Sequence, residues 1–138
     1  MSRLYERVHP GEGLNQIRLE LDPKKRASLE IGARFSGQFT RPQGYFSESH
    51  LDTLGLCVFL ALAELEQPEQ KIVVLDDVLS SVDEAHVDRV VDLLRTESTR
   101  FRHVVITMHA RTWIDAMSPD VHVVELGPWS PADGLTLR

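Results

Sequence analysis

The sequence predicts an α/β fold of three layers around a parallel sheet, with a β-hairpin ahead of it. Three observations carry this expectation. Two short β-branched runs, Ile72-Val73-Val74-Leu75 and His103-Val104-Val105-Ile106-Thr107, alternate with stretches of helical periodicity. A third run, Val121-His122-Val123-Val124-Glu125-Leu126, follows the second in the same way. Upstream, Ile17, Leu19 and Leu21, then Leu29, Ile31, Ala33 and Phe35, alternate with polar residues as a half-buried hairpin does.

Taken in order, residues 1–13 read as irregular, closed off by Pro10 and two glycines. Asp22-Pro23-Lys24-Lys25 supplies turn chemistry between the hairpin strands, with proline presetting one φ angle. Residues 36–49, rich in Gly, Ser, Gln and Pro, read as a loop. A long helix is expected from near His50 to about Glu66, ended by Gln67-Pro68. Its apolar residues fall on most faces (Leu51, Leu54, Val58 and Leu62 on one, Leu56, Cys57, Phe59 and Leu60 on others), so it should be buried on most sides. The run at 72–75 has the unbroken apolar character of a parallel strand covered on both faces. Asp83 is placed to cap a helix reaching about Arg95, with Val87, Val90, Val91 and Leu94 on one face. A short helix at 111–117 carries Trp113 as a core anchor, and the last dozen residues should be poorly regular. These pieces read as one domain over 1–138: a hairpin segment at 1–43, an α/β lobe at 44–126 and a tail at 127–138.

The 138 residues suffice for a modest core, and 42% apolar with 26% charged residues is an ordinary globular balance. The longest near-continuous apolar stretch, 54–63, is too short to span a membrane, and the N-terminus lacks the layout of a secretory signal. A cytoplasmic setting is the default expectation. Cys57 is the only cysteine, which excludes an intrachain disulfide, and it belongs to an apolar helix face as a packing residue. A net charge of −6 argues against a surface built to clamp nucleic acid; Lys24-Lys25-Arg26 is a local basic turn. The six histidines show no spacing expected of a metal site.

The chemistry concentrates in Ile72-Val73-Val74-Leu75-Asp76-Asp77-Val78-Leu79-Ser80-Ser81-Val82-Asp83. A buried strand running into two carboxylates places them where ligands collect on parallel sheets. Upstream stands Tyr45-Phe46-Ser47-Glu48-Ser49-His50, directly before the long helix, and downstream a strand ending in Thr107-Met108-His109.

In order and spacing these three elements resemble the C-terminal lobe of ABC-type ATPase heads of the SMC, RecF and RecN kind, over roughly residues 44–126. The resemblance implies a P-loop-NTPase-like lobe. Ser47 then corresponds to the signature serine that reaches the γ-phosphate of ATP on an opposite protomer, and Ser49, at the second signature position usually held by glycine, is a further candidate ATP contact. Asp76 matches the Walker B aspartate in the magnesium shell, and Asp77 stands where a catalytic glutamate is usual. Ser80, Ser81, Val82 and Asp83 match the D-loop, and His109 the switch histidine. ATP and Mg²⁺ are the implied cofactors, and a head-to-head dimer closed on ATP the implied assembly, with DNA engaged through a larger parent protein.

No G-x-x-x-x-G-K-[ST] stretch occurs, so the phosphate-cradling loop and its lysine have to come from a Walker A lobe or a partner chain. The chain is therefore expected to be an excised C-terminal lobe or one polypeptide of a split ATPase, inactive alone. Three other classes compete. A degenerate ATPase-like module would only dimerise or dock. A metal-dependent nuclease or phosphatase would need more acids than Asp76, Asp77 and Glu125. A receiver-type phosphoacceptor would need its acidic pair on the first strand.

Overall fold

The computed structural model describes residues 1–21, 24, 29–35, 37–118, 121–132 and 134–137. Helix α1 (Ser2–Val8) leads into an antiparallel sheet of β1 (Leu14–Leu21), β2 (Leu29–Phe35) and β3 (Gln38–Thr40). Helix α2 (Glu48–Ala63), β4 (Ile72–Asp76), α3 (Val87–Ser98), β5 (His103–Thr107) and α4 (Arg111–Met117) follow. Strands β4 and β5 pair in parallel, from Ile72 against His103 to Asp76 against Thr107. A hairpin sheet followed by a parallel α/β unit is thus present, as expected.

In the hairpin Leu19 faces Ile31, and Leu21 faces Leu29. The register slips between Asn15 and Arg18, where Gln16 takes a φ of +51°. A third strand, β3, arises within the stretch expected to be loop. It pairs with β2 and lays Phe39 over Gly32, where any Cβ would fall 2.5 Å from the ring. The turn expected at 22–25, with the basic residues Lys25 and Arg26, lies outside the described residues apart from Lys24.

The core lies where α1, α2 and α3 meet the inner face of β4. Tyr5, Val8, Leu54, Cys57, Val73, Leu75, Val90 and Leu93 are all buried there. Trp113 is buried with them, as a core anchor should be. Helix α3 places Val87, Val90, Val91 and Leu94 inward, so its expected face is the observed one. Its first turn differs, because Glu84–His86 forms a 3-10 turn and α3 starts only at Val87, without a side-chain cap from Asp83.

Three further expectations change. Residues 1–13 are not irregular throughout: α1 buries Leu4, Tyr5 and Val8. A helix this short is not stable by itself and is held by tertiary contacts. The Arg7 guanidinium donates to Thr96 Oγ1 (2.9 Å) and pairs with the buried Glu97, while Arg89 donates to the carbonyl of Val8.

The parallel sheet is covered on one face only. Val73 and Leu75 are buried, but Ile72, Val74 and Val105 are 61%, 55% and 48% exposed. The outer side of α2 is open in the same way, with Phe59 and Leu62 exposed, as is Leu65 just past its end.

Residues 121–126 do not form the expected third strand. Their only pairing among the described residues is a single bridge from Leu126 to Leu137, and Val121, Val123 and Val124 are exposed. A β-branched run becomes a strand only when a neighbouring edge takes its N–H and C=O groups.

Candidate functional site

The carboxyl end of the β4–β5 sheet gathers the candidate residues. Asp76 ends β4, and its Oδ1 accepts a hydrogen bond from Thr107 Oγ1 of β5 at 2.5 Å. The N–H of Asp77 is directed at the same threonine, 3.2 Å from its carbonyl oxygen and 3.1 Å from its hydroxyl oxygen. Asp77 itself sits at φ +51°. This left-handed conformation is uncommon outside glycine, though Asp and Asn tolerate it better than most residues, and it concentrates at functional turns. Both carboxylates are exposed, so the sheet presents them to solvent. His109 is also exposed and lies two residues past Thr107, beyond the end of the strand whose threonine contacts both aspartates.

A second group forms at the start of α2. Ser47 is the N-cap and its hydroxyl accepts the His50 N–H. A helix of sixteen residues beginning there turns the positive end of its dipole toward the 44–47 loop. Ser49 is only 4% exposed; its Oγ accepts the backbone N–H of Asp83 at 3.0 Å, and its carbonyl accepts from Thr53. The Ser81 hydroxyl donates to the Asp52 carboxylate. These bonds zip the first turns of α2 to the 80–83 loop. Ser80 closes that loop back on the carbonyl of Asp77 at 3.3 Å. Ser47, Ser49, Asp76, Asp77, Ser81, Asp83 and His109 are therefore placed by two connected units, one at the sheet end and one at the helix start. Ser49 serves inside the second unit as a fastening and has little surface to offer a ligand. Glu125 does not join Asp76 and Asp77, since it pairs with Arg111 at 2.8 Å.

Beside the helix start lies a cluster that spacing in the sequence does not reveal. The Glu12 carboxylate stands between His9 Nδ1 (3.1 Å), His50 Nε2 (2.8 Å) and His86 Nε2 (3.8 Å). The His9 ring is 4.4 Å from those of both His50 and His86 and stacks on Tyr5 at 4.8 Å. Burial lowers the His9 pKa below its ordinary value, against the hydrogen bond and charge of Glu12. Burial would raise Glu12, but its hydrogen bonds with His9 and His50 outweigh that and hold it below its usual range. The one signal available beforehand was Gly11-Glu12-Gly13, whose glycines take φ of +74° and +76° and so let Glu12 turn back toward His9.

Comparison with known proteins bears on the fold. No family model matches the chain, and no curated protein matches it in sequence. Among solved structures, the fold is that of SMC ATPase head domains. An SMC ATPase studied for ATP-driven dimerisation and DNA-stimulated activation superposes with a TM-score of 0.71 at 18% identity, over 99% of this chain and 78% of its own. An Smc head bound to the C-terminal winged-helix domain of ScpA gives 0.67 at 21%, again over 99% of this chain but 40% of its own. The Pyrococcus furiosus Smc head with an extended coiled coil, bound to the C-terminal domain of ScpA, gives 0.65 at 21%, over 99% and 33%. The chain thus has the fold of part of an SMC head and spans well under half of the last two relatives.

Proposed function

We propose that the chain is the C-terminal half of an ATP-hydrolysing, SMC-like head, working with a segment that supplies the phosphate loop. One observation carries this reading: the strand-end pair Asp76–Asp77 and the Ser47-capped helix meet through one hydrogen-bonded loop at 77–83. Asp76 suits a magnesium shell, being an exposed hard oxygen ligand with one carboxylate oxygen already oriented by Thr107. Magnesium bound with ATP would neutralise charge on the phosphates. The chain carries no glycine-rich loop and lysine to cradle them.

Within this reading Asp77 is the general base for the attacking water. Its carboxylate is one methylene shorter than a glutamate's, so the water sits closer to the sheet end. Ser47 meets the γ-phosphate of ATP held by a facing head, Ser81 and Asp83 line the dimer interface, and His109 senses the γ-phosphate. Ser49 positions Ser47 and Asp83 relative to each other. The run at 121–126, paired among the described residues only by the Leu126–Leu137 bridge, supports a missing neighbour: a strand of the Walker A lobe lies between β5 and 121–126 and completes the sheet, and the same lobe covers the open face of β4–β5. Action on DNA in repair, chromosome maintenance or defence against foreign DNA, within the cytoplasm, belongs to the larger assembly. Among the described residues no helix is long and apolar enough to cross a membrane.

The test is ATP turnover with magnesium by the chain mixed with a Walker A lobe. Asp77→Asn should cut the rate about 10²–10⁴-fold, the usual contribution of a positioned base. An Asp77→Asn mixture as fast as the unaltered one defeats the assignment of the base. No turnover in any mixture favours a non-catalytic docking module, a reading to which the buried and occupied Ser49 lends weight.

A further inference from the structure

We propose that His9, Glu12 and His86 form a binding site for a divalent transition cation, with zinc the best match, and that His50 orients the carboxylate from outside. The site reaches the proposed ATP contact Ser47 through His50, but its test does not depend on ATP turnover.

The argument begins with geometry. One ligand atom from each of His9, Glu12 and His86 lies within 4.8 Å of the other two. His9 Nδ1 is 3.1 Å and His86 Nε2 3.8 Å from the same oxygen, Glu12 Oε1. Zinc bound to nitrogen and oxygen at about 2.0–2.2 Å in a tetrahedron sets its ligand atoms about 3.3 Å apart. The two separations from Glu12 Oε1 bracket that value. The 3.8 Å contact is too long for a hydrogen bond, so His86 and Glu12 face each other across a gap without bonding.

The chemistry agrees. His9 is 1% exposed, and its Nδ1 is turned toward Glu12 inside the protein. Three imidazoles crowd around one carboxylate with ring centroids as close as 4.4 Å, so several donor atoms stand beside one acid. Neutral imidazole is the form that ligates metal, and two imidazoles with a carboxylate are a donor set suited to zinc, leaving a fourth position for water.

Glu12 Oε2 accepts from His50 Nε2 at 2.8 Å, which leaves His50 Nδ1 to accept the Ser47 hydroxyl proton at 2.6 Å. His50 is therefore a positioning residue of the kind that orients a ligating carboxylate. The site joins the end of α1, the start of α2 and the turn before α3, three places far apart in the chain.

The experiment is a zinc titration of the untagged full chain, read by competition with a chromogenic chelator and by the melting temperature. Visible spectra with cobalt in place of zinc report the ligand geometry. We expect one saturable site per chain, a rise in melting temperature that a chelator reverses, and tetrahedral cobalt bands. Glu12→Gln and His86→Gln should abolish stoichiometric binding, whereas His50→Gln should weaken it about 10–100-fold. Unaltered binding in Glu12→Gln and His86→Gln would overturn the proposal, as would no saturable binding by the parent chain. If either variant fails to fold, the cobalt spectrum of the parent decides: octahedral bands alone would overturn the site.

Discussion

Residues 72–76 and residues 121–126 are both short, valine-rich runs that follow a helical stretch, yet only the first is a strand. The first buries Val73 and Leu75 in the core cluster that also holds residues of α2 and α3, and it pairs along its length with β5. Among the described residues the second pairs only through the single bridge from Leu126 to Leu137, and Val124 and Leu126 stand 52% and 62% exposed. The contrast recurs within β4, where Val73 and Leu75 are inside and Ile72 and Val74 outside. Composition sets the capacity to form a strand; a neighbour realises it. Where the described residues lack the neighbour, the proposed Walker A lobe would supply it.

Perturbations on the covered and uncovered sides should differ accordingly. The largest effect concerns Cys57, which is fully buried on α2; burial pushes its thiol from an ordinary 9.0 up to about 12. At pH 8 the folded chain should therefore react with a thiol reagent about a thousandfold more slowly than the unfolded chain, as their thiolate fractions differ by that factor. The sign for stability follows. The raised thiol contributes fully below pH 9, and that contribution is lost as pH rises from 9 through about 12. Fast modification of the native chain would mean that α2 is not covered on this side.

Next in size is Leu75→Ala, which empties a buried position of β4 and should cost about 2–5 kcal/mol in denaturant unfolding. Val74→Thr, one residue away on the open face, should change stability by less than about 0.5 kcal/mol in the chain alone. It should nevertheless weaken association with a Walker A lobe. Equal effects of the two substitutions would erase the distinction between the faces.

Much of this organisation was readable from residue pattern. The β-branched runs of β4 and β5, the apolar face of α3 and the alternation of the hairpin each depend on local period, and each formed. The Asp76–Asp77 pair fell at a strand end because an apolar run stopped there. What pattern could not supply was long-range. Helix α1 is seven residues long and owes its order to contacts with α2 and α3. Glu12 meets His50 across 38 positions, so no spacing rule reveals the histidine cluster. Ser49 looked like a ligand contact in a signature loop, while its hydroxyl is spent on the Asp83 amide. The open face of the parallel sheet was unreadable for a related reason: an apolar strand looks the same whether its cover comes from its own chain or from another.

The central claim is that a Walker A lobe completes the sheet beside β5 and residues 121–126. Amide hydrogen exchange on the chain, alone and joined to such a lobe with ATP and magnesium, tests it most directly. The account predicts fast exchange at residues 121–126 in the chain alone and a slowing of at least about tenfold on joining, as expected when a free backbone enters a sheet. Unchanged exchange at 121–126 in a joined complex that demonstrably binds ATP would contradict it.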